Sequence, residues 1–378
     1  MKKILFFLES LSNGGAEKVL SDIVSNLNKE KYDVTVCTVT DEGTYQEKVI
    51  QHCKYQPFLK LADYRAGGLK RLQYRGRLHF IYHAPVQRVY KRYIKDNYDA
   101  EIAFIEGYAT KLIAASSDKN SKKLAWVHTD MWKNPYSEKY YRNHQEHCAV
   151  YNYYDRVCCV SESVRKRFNN MFFDDARVVV RYNPVDSVDI IRKAKEEIPL
   201  IPNSTLQLGT IGRLEEQKGY MRLVNMLGKL HDRGYEFGLW IMGEGSQRLQ
   251  IEDIINKWNL QDNVKLIGFQ RNPYKYMSKC DGFICSSYAE GFSTAATEAL
   301  ILGKPIFTTE CAGMYELFGN KNCGEIVPNT DEALFDLLER LVSGKIKIQN
   351  FSEGVKHRAV EFDIKKRMEE IEKLLDIF

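Results

Sequence analysis

Ser286-Ser287-Tyr288-Ala289-Glu290-Gly291-Phe292-Ser293-Thr294-Ala295-Ala296-Thr297-Glu298-Ala299-Leu300 is the stretch that decides how this chain is read. Asp281-Gly282-Phe283-Ile284-Cys285 before it reads as a buried strand, and the good helix formers from Ala295 to Leu302 read as a helix. A strand, a polar turn and a helix start leave the first helical amides without internal partners, so they can take the oxygens of a polar ligand. Glu290 lies in the turn, and Glu298 lies about two helical turns deep on roughly the same side. Two carboxylates so placed can accept hydrogen bonds from two hydroxyl-bearing parts of one ligand. The plainer reading is a turn residue and a solvated helix residue. Ala295, Ala296, Ala299 and Leu300 weigh against it, because they suggest a buried helix, where a carboxylate is rarely left without partners.

Outward from that turn, short apolar runs alternate with helical stretches. In the second half the runs are Leu206 to Arg213, Phe237 to Gly243, Val264 to Gly268, Phe283 to Cys285 and Pro305 to Thr308. In the first half they are Ile4 to Leu8, Val34 to Val39, Ala100 to Phe104, Lys123 to Val127 and Arg156 to Val160. Strands alternating with helices predict α/β domains with doubly wound parallel sheets, which bind ligands beyond the carboxyl ends of their strands. At 378 residues the chain fits two domains, expected at 1–185 and 204–361. The charged, proline-containing stretch through Pro202-Asn203-Ser204 is the linker candidate, and 362–378 is a final helix.

Three more turns draw interest. Gly14-Gly15 joins the first strand to a helix whose apolar face is Val19, Leu20, Ile23, Val24 and Leu27, so a ligand could approach its backbone. It is not GxGxxG, which leaves dinucleotide binding weakly suggested. His128 follows a strand end; a lone histidine is more often structural, and its position shifts it toward a site. Arg213 and Lys218 share a strand-to-helix turn where both could reach a diphosphate, or could simply face solvent.

Composition sets bounds. No apolar run approaches a membrane span, and Glu9 ends the apolar run of Met1-Lys2-Lys3-Ile4-Leu5-Phe6-Phe7-Leu8 too early for a signal peptide. Nine cysteines with no CxxC pair argue for a reducing cytoplasm and against a zinc site. The net charge of +5 divides unevenly: residues 1–185 carry 30 Lys/Arg against 21 Asp/Glu, and the remainder 25 against 29. The basic excess lies between Lys54 and Lys95, where Asp63 is the only acid and where basic residues alternate with aromatics. That mixture favours an anionic membrane surface over a plain solvated face, and either over nucleic acid.

Taken in order, Gly212-Arg213-Leu214 with Lys218-Gly219, Gly243-Glu244-Gly245, Leu266-Ile267-Gly268, Ser286-Ser287 with Glu290-Gly291-Phe292, Glu298-Ala299, Gly303-Lys304-Pro305, Gly313 with Glu316, and Gly324 resemble the family-four retaining glycosyltransferases of GT-B fold. Gly14-Gly15-Ala16-Glu17, His128 and Asn183-Pro184-Val185-Asp186 match as weaker marks, and Pro184 departs from the usual Asn-Gly-Val-Asp, stiffening the hinge.

The resemblance implies two Rossmann-like domains facing a cleft, with the final helix crossing back onto the first. It further implies a nucleotide-sugar donor held mainly by the second domain. Arg213 and Lys218 would bind the diphosphate and Glu298 the ribose hydroxyls. Glu290 and the amides near Gly291, Phe292 and Ser293 would hold the donor sugar. Ile267 to Phe269 would present backbone to the base. His128 would sit near the reaction centre, and Gly14 and Gly15 near the phosphates or acceptor. With His128, Arg213, Lys218 and Glu290 as catalytic residues, two fixed cations and helix amides can stabilise the departing diphosphate without a metal or other cofactor, in accord with the lack of any Asp-x-Asp pair. No nucleophile has clear credentials, so retention would come from same-face attack.

The expected protein is thus a cytoplasmic glycosyltransferase peripheral to the inner face of the membrane. It would move a hexose or N-acetylhexosamine, from a UDP-sugar before a GDP-sugar, to a lipid-linked or glycan acceptor of surface polysaccharide or glycoconjugate synthesis. Two alternatives are a nucleotide-sugar epimerase of the same fold and a non-catalytic sugar- or nucleotide-binding module. A dehydrogenase ranks below both.

Overall fold

The computed structural model describes residues 1–199, 204 and 206–377. They form two compact units. One comprises Met1–Pro184 with the chain from Lys365, and the other Val185–Ile364.

The first unit is built on seven strands: β1 (Lys2–Leu8), β2 (Tyr32–Thr40), β3 (Lys54–Leu59), β4 (Ala100–Ala103), β5 (Lys122–Val127), β6 (Arg156–Cys159) and β7 (Val178–Val180). They lie in the order β3-β2-β1-β4-β5-β6-β7, every neighbouring pair parallel. Ile4 to Leu8 are buried because helices cover both faces of a central parallel strand. The sequence reading passed over β3, whose Pro57 cannot donate to a ladder. Its place at the sheet edge, pairing only with β2, accommodates that proline. The helix Ile364–Asp376 buries Met368, Ile371, Leu374 and Leu375. Lys2 Nζ donates to the Leu375 carbonyl at 2.9 Å and Tyr32 Oη to Asp376 Oδ1 at 2.5 Å.

The basic stretch becomes β3 and three helices, Leu61–Arg65, Gly68–His83 and Val86–Tyr93. Tyr74, Ile81, Val89 and Tyr90 turn inward. Leu69 and Leu72 are 70% and 66% exposed beside exposed Lys70, Arg71, Arg75 and Arg77. Among the described residues no helix is long and apolar enough to cross a membrane.

The second unit has six parallel strands: β8 (Gln207–Ile211), β9 (Gly238–Met242), β10 (Val264–Gly268), β11 (Gly282–Cys285), β12 (Ile306–Thr309) and β13 (Gly324–Val327), in the order β10-β9-β8-β11-β12-β13. This unit starts earlier than the 204 expected. A helix at Ser187–Lys193, capped by the Asp186 carboxylate, docks on it, with the Lys193 carbonyl accepting from Asn272 Nδ2 at 2.9 Å. A polar, charged segment looked like linker because its partners are distant in sequence. The core of the expected linker, residues 200–203 and 205, lies outside the described residues. Both units are α/β and Rossmann-like, and in each the strand order reverses once, at β1/β4 and at β8/β11. Such reversals open a crevice at the carboxyl ends of the strands.

Candidate functional site

In the second unit the reversal point brings candidate residues from two turns together. β8 runs into a 3-10 turn, Glu216–Lys218, and β11 into Ser286-Ser287. Gly219 between that turn and the next helix has φ +65°, and a Cβ there would lie 2.2 Å from the Ser286 carbonyl oxygen. Only glycine lets the two strand ends press together in this way. Ser286 Oγ seals the junction by donating to the Lys218 carbonyl at 2.9 Å.

Lys218 Nζ then meets Glu290 Oε1 at 2.7 Å, and Ser287 Oγ donates to the same oxygen at 2.6 Å. The lysine side chain is 20% exposed and the glutamate 9%. Burial disfavours the ammonium, but the Glu290 carboxylate outweighs it, and the Lys218 pKa stands above the usual lysine value. The pair lines a small polar recess with Thr210, Tyr220, Ser287 and Ser293.

The turn that carries Glu290 is strapped from behind. Buried Arg222 donates from Nη2 to the carbonyls of Ser286 (2.6 Å) and Ser287 (3.2 Å), and its guanidinium lies 3.9 Å from the Tyr288 ring centroid. Gln217 Nε2 holds the Ala289 carbonyl at 2.8 Å. Gly313, at φ +76°, brings its Cα so close that a Cβ would stand 2.4 Å from the Gly291 carbonyl. Arg222 and Gln217 were missed in the sequence because their role is to reach backbone far along the chain.

Of the other expected donor residues, Ser293 shares this recess and the rest have their own surroundings. Ser293 caps the helix Thr294–Ile301, accepting from the Ala296 amide at 3.3 Å, while Phe292 is buried and Gly291 lies in the turn against Gly313. Glu298, 3% exposed, accepts from Tyr274 Oη at 3.1 Å, so the two carboxylates have separate partners. The Ile267 carbonyl accepts from Gln270 Nε2 at 3.0 Å, and Phe269 is half-buried at the end of β10. Arg213 is exposed and outside the residues that line the recess; the Glu215 pKa is lowered by the hydrogen bonds from Ser246, with a smaller part from the Arg213 charge. Among the described residues no three His, Cys, Asp or Glu side chains come together as a metal ligand set.

In the first unit, Gly14-Gly15 opens the helix Gly15–Asn26. The Glu17 carboxylate folds back there, 2.1 Å from where a Cβ on Gly14 would be. This helix start therefore already faces a negative charge, which works against a phosphate. His128 follows β5. Its ring bonds the Phe104 carbonyl, its Nε2 is buried without a hydrogen-bond partner, and burial lowers its pKa to about 3. The ring is neutral at physiological pH and offers a lone pair rather than a charge.

Glu106, just past β4, was not singled out. It is fully buried and accepts from the amides of His128 (2.6 Å) and Thr129 (2.7 Å) and from Tyr136 Oη (2.9 Å). Burial raises its pKa against the pull of these donors. One carboxylate thereby pins both ends of the segment that carries His128. The only sequence signal was an acidic residue at a strand end, followed by Gly107.

Comparison with known proteins covers almost the whole chain. A model of the glycosyltransferase family 4 matches residues 13–188, and one of the glycosyl transferases group 1 matches residues 191–358. The N-acetylgalactosamine-N,N'-diacetylbacillosaminyl-diphospho-undecaprenol 4-alpha-N-acetylgalactosaminyltransferase of Campylobacter jejuni is 25% identical over 96% of both chains. The lipopolysaccharide 1,6-galactosyltransferase of Escherichia coli is 21% identical over 92% of this chain and 91% of its own. Among solved structures, HepE from Anabaena, crystallised with UDP and glucose, superposes over the full length of both chains with a TM-score of 0.74 at 18% identity. Sucrose-phosphate synthase from Thermosynechococcus elongatus gives 0.75 at 15% identity, over 100% of this chain and 98% of its own. With both units matched in order and the fold shared end to end, this chain is a glycosyltransferase and belongs to the family-four glycosyltransferases of GT-B fold.

Proposed function

We propose that the chain transfers a hexose or N-acetylhexosamine from a nucleotide diphosphate sugar, UDP-linked before GDP-linked, to a lipid-linked or glycan acceptor in bacterial surface polysaccharide or glycoconjugate synthesis. The observation that carries this reading is the Lys218–Glu290 pair, 2.7 Å apart at the reversal point of the second sheet. A half-buried ammonium there can meet the charge that grows on a departing diphosphate, and its carboxylate partner can take sugar hydroxyls. Exposed Arg213 on the preceding turn is free of the crowding around Lys218 and can swing toward the diphosphate. Glu298, already accepting one hydroxyl from Tyr274, has the chemistry to accept those of a ribose. Two cations fill the role a metal would otherwise take. No nucleophile stands out, so transfer proceeds on one face with retention, the leaving phosphate assisting the incoming hydroxyl.

The acceptor class is supported by two relatives matched over nearly their full length, named for transfer to a diphospho-undecaprenol glycan and to lipopolysaccharide. The exposed Leu69, Leu72 and basic residues of the helix Gly68–His83 suit a peripheral site on the anionic inner face of the membrane. The deciding experiment is a metal-free thermal-shift panel of UDP, GDP, ADP, CMP and NAD. A selective shift by one nucleoside diphosphate, abolished in Lys218→Ala, is the expected result; equal shifts, or a shift that survives the substitution, would overturn the donor assignment. Co-sedimentation with phosphatidylglycerol vesicles, absent with neutral ones, tests the membrane surface.

A further inference from the structure

Two glutamates stand at the carboxyl ends of adjacent strands in the first unit, and their surroundings differ. Glu106, past β4, is fully buried and held by two backbone amides and by Tyr136 Oη, which makes it a fastening. Glu9, past β1, is only half-buried and is served by tyrosine hydroxyls: Tyr82 Oη at 2.8 Å from Oε1, and Tyr140 Oη at 3.2 Å from each carboxylate oxygen. Two hydroxyl donors leave about two of the four lone-pair positions of a carboxylate for other partners. Burial raises the Glu9 pKa, with the tyrosines and Lys139 opposing it.

Buried Tyr108 backs the rings attached to these hydroxyls, its centroid 4.9 Å from that of Tyr82 and 6.1 Å from that of Tyr140, and Tyr82 is 38% exposed. A carboxylate ready for hydroxyls beside amphipathic ring faces has the chemistry of a pyranose site, since a sugar presents hydroxyls at its edge and C–H groups on its face. The location agrees, because β1 and β4 flank the reversal point of this sheet, where open α/β sheets bind ligands.

We propose that Glu9, Tyr82 and Tyr140 form a pyranose-binding subsite in which the Glu9 carboxylate and the two tyrosine hydroxyls take ring hydroxyls of the acceptor glycan. That the sugar held there is an acceptor rests on the transferase function proposed above; that a sugar is held there does not. Tyr82, the most exposed of the three, carries the recognition of the outward edge, and Glu9 fixes the orientation.

The test is saturation-transfer NMR of the full chain with methyl glycosides of glucose, galactose, N-acetylglucosamine and N-acetylgalactosamine. At least one is expected to bind the wild type, with an affinity about tenfold weaker in Glu9→Gln, the size of one charge-assisted hydrogen bond. Glutamine keeps an oxygen for the tyrosine hydroxyls, so a Glu9 that only fastens the fold leaves glycoside binding unchanged. Tyr82→Phe keeps the ring and is expected to weaken binding as well, which keeps the test valid if Glu9→Gln lowers the melting temperature. No binding by any of the four glycosides, or undiminished binding in both variants, overturns the subsite. Consumption of UDP-sugar by the wild type is followed separately. Consumption without glycoside binding overturns the subsite alone, and glycoside binding without consumption of any donor retains the subsite and overturns the transferase reading.

Discussion

Replacing Glu290 with alanine removes one half of a largely buried ion pair and leaves the other half in place. Lys218 Nζ loses its 2.7 Å partner with only 20% of its side chain exposed. Removing one partner of a buried pair costs about 3–5 kcal/mol, and the remaining exposure argues for the lower end of that range. Ser287 loses its acceptor at 2.6 Å, which adds about 1 kcal/mol. A total of about 4 kcal/mol in a unit of this size corresponds to a fall of about 8–16 °C in melting temperature. The Lys218 pKa falls as well, since the carboxylate that offsets its burial is gone. The assay is a double-mutant cycle of Lys218→Met and Glu290→Ala by thermal melting, with hydrogen exchange at the amides of β8 and β11 to locate the effect. Once both charges are absent the penalty for a stranded ion disappears, so the double variant should be less destabilised than the sum of the singles by about 2 kcal/mol. Turnover of nucleotide sugar should fall by about 10²–10³ in each single variant, as when an oxyanion-stabilising group is lost. Additivity of the stability changes within about 0.5 kcal/mol would refute the claim that the pair is coupled, and near wild-type turnover in both singles would refute its place at the reaction centre.

Three further outcomes follow from the geometry. Glu106→Ala should lower kcat with little change in donor KM, whereas Glu106→Gln, which keeps an acceptor for the His128 and Thr129 amides, should recover most of the rate; equal losses in both variants would refute a positioning role. His147 is 1% exposed, stacks on Tyr141 with centroids 3.9 Å apart, and has its pKa lowered to about 4 by burial and by His144. The unfolded chain binds that proton near pH 6.5, so the contribution of His147 is complete above that pH and is lost as pH falls toward 4. His147→Phe should accordingly flatten the decline in melting temperature between pH 6.5 and 4, and an unchanged slope would contradict the assignment. Arg222→Lys keeps the charge but loses the fork that spans the Ser286 and Ser287 carbonyls, and should lower stability by about 2 kcal/mol and raise the donor KM. A variant that matches wild type in both would show the strap to be dispensable.

How far the sequence could be read depended on the range of the interactions. Strand and helix periodicity is local, so the two parallel sheets and most of their strands were legible, as was the family, whose marks are short and occur in order. β3 was not, because Lys54-Tyr55-Gln56-Pro57-Phe58-Leu59 carries neither alternation nor a continuous apolar run, and only its edge position explains it. The helix Ser187–Lys193 read as linker for a similar reason, its contacts being near Asn272 and Ser278. Lys218 and Glu290 could each be picked out as charged residues in glycine-bearing turns. Their meeting, 72 residues apart in sequence, could not be.

The sequence by itself determined the fold class, the division into two α/β halves and the residue types available at each strand end, because these depend on spacing along one chain. Tertiary structure decided what those residues face. It paired Lys218 with Glu290 and gave Glu298 to Tyr274. It turned the Glu17 carboxylate onto the helix start at Gly14-Gly15 and left Arg213 exposed. It also enlisted Glu106 to hold the segment around His128 and set Glu9 among tyrosines. A side chain's charge is written in the sequence, but its partner is chosen by which strand ends the sheet order brings together, and that order is fixed only when the whole sheet has formed.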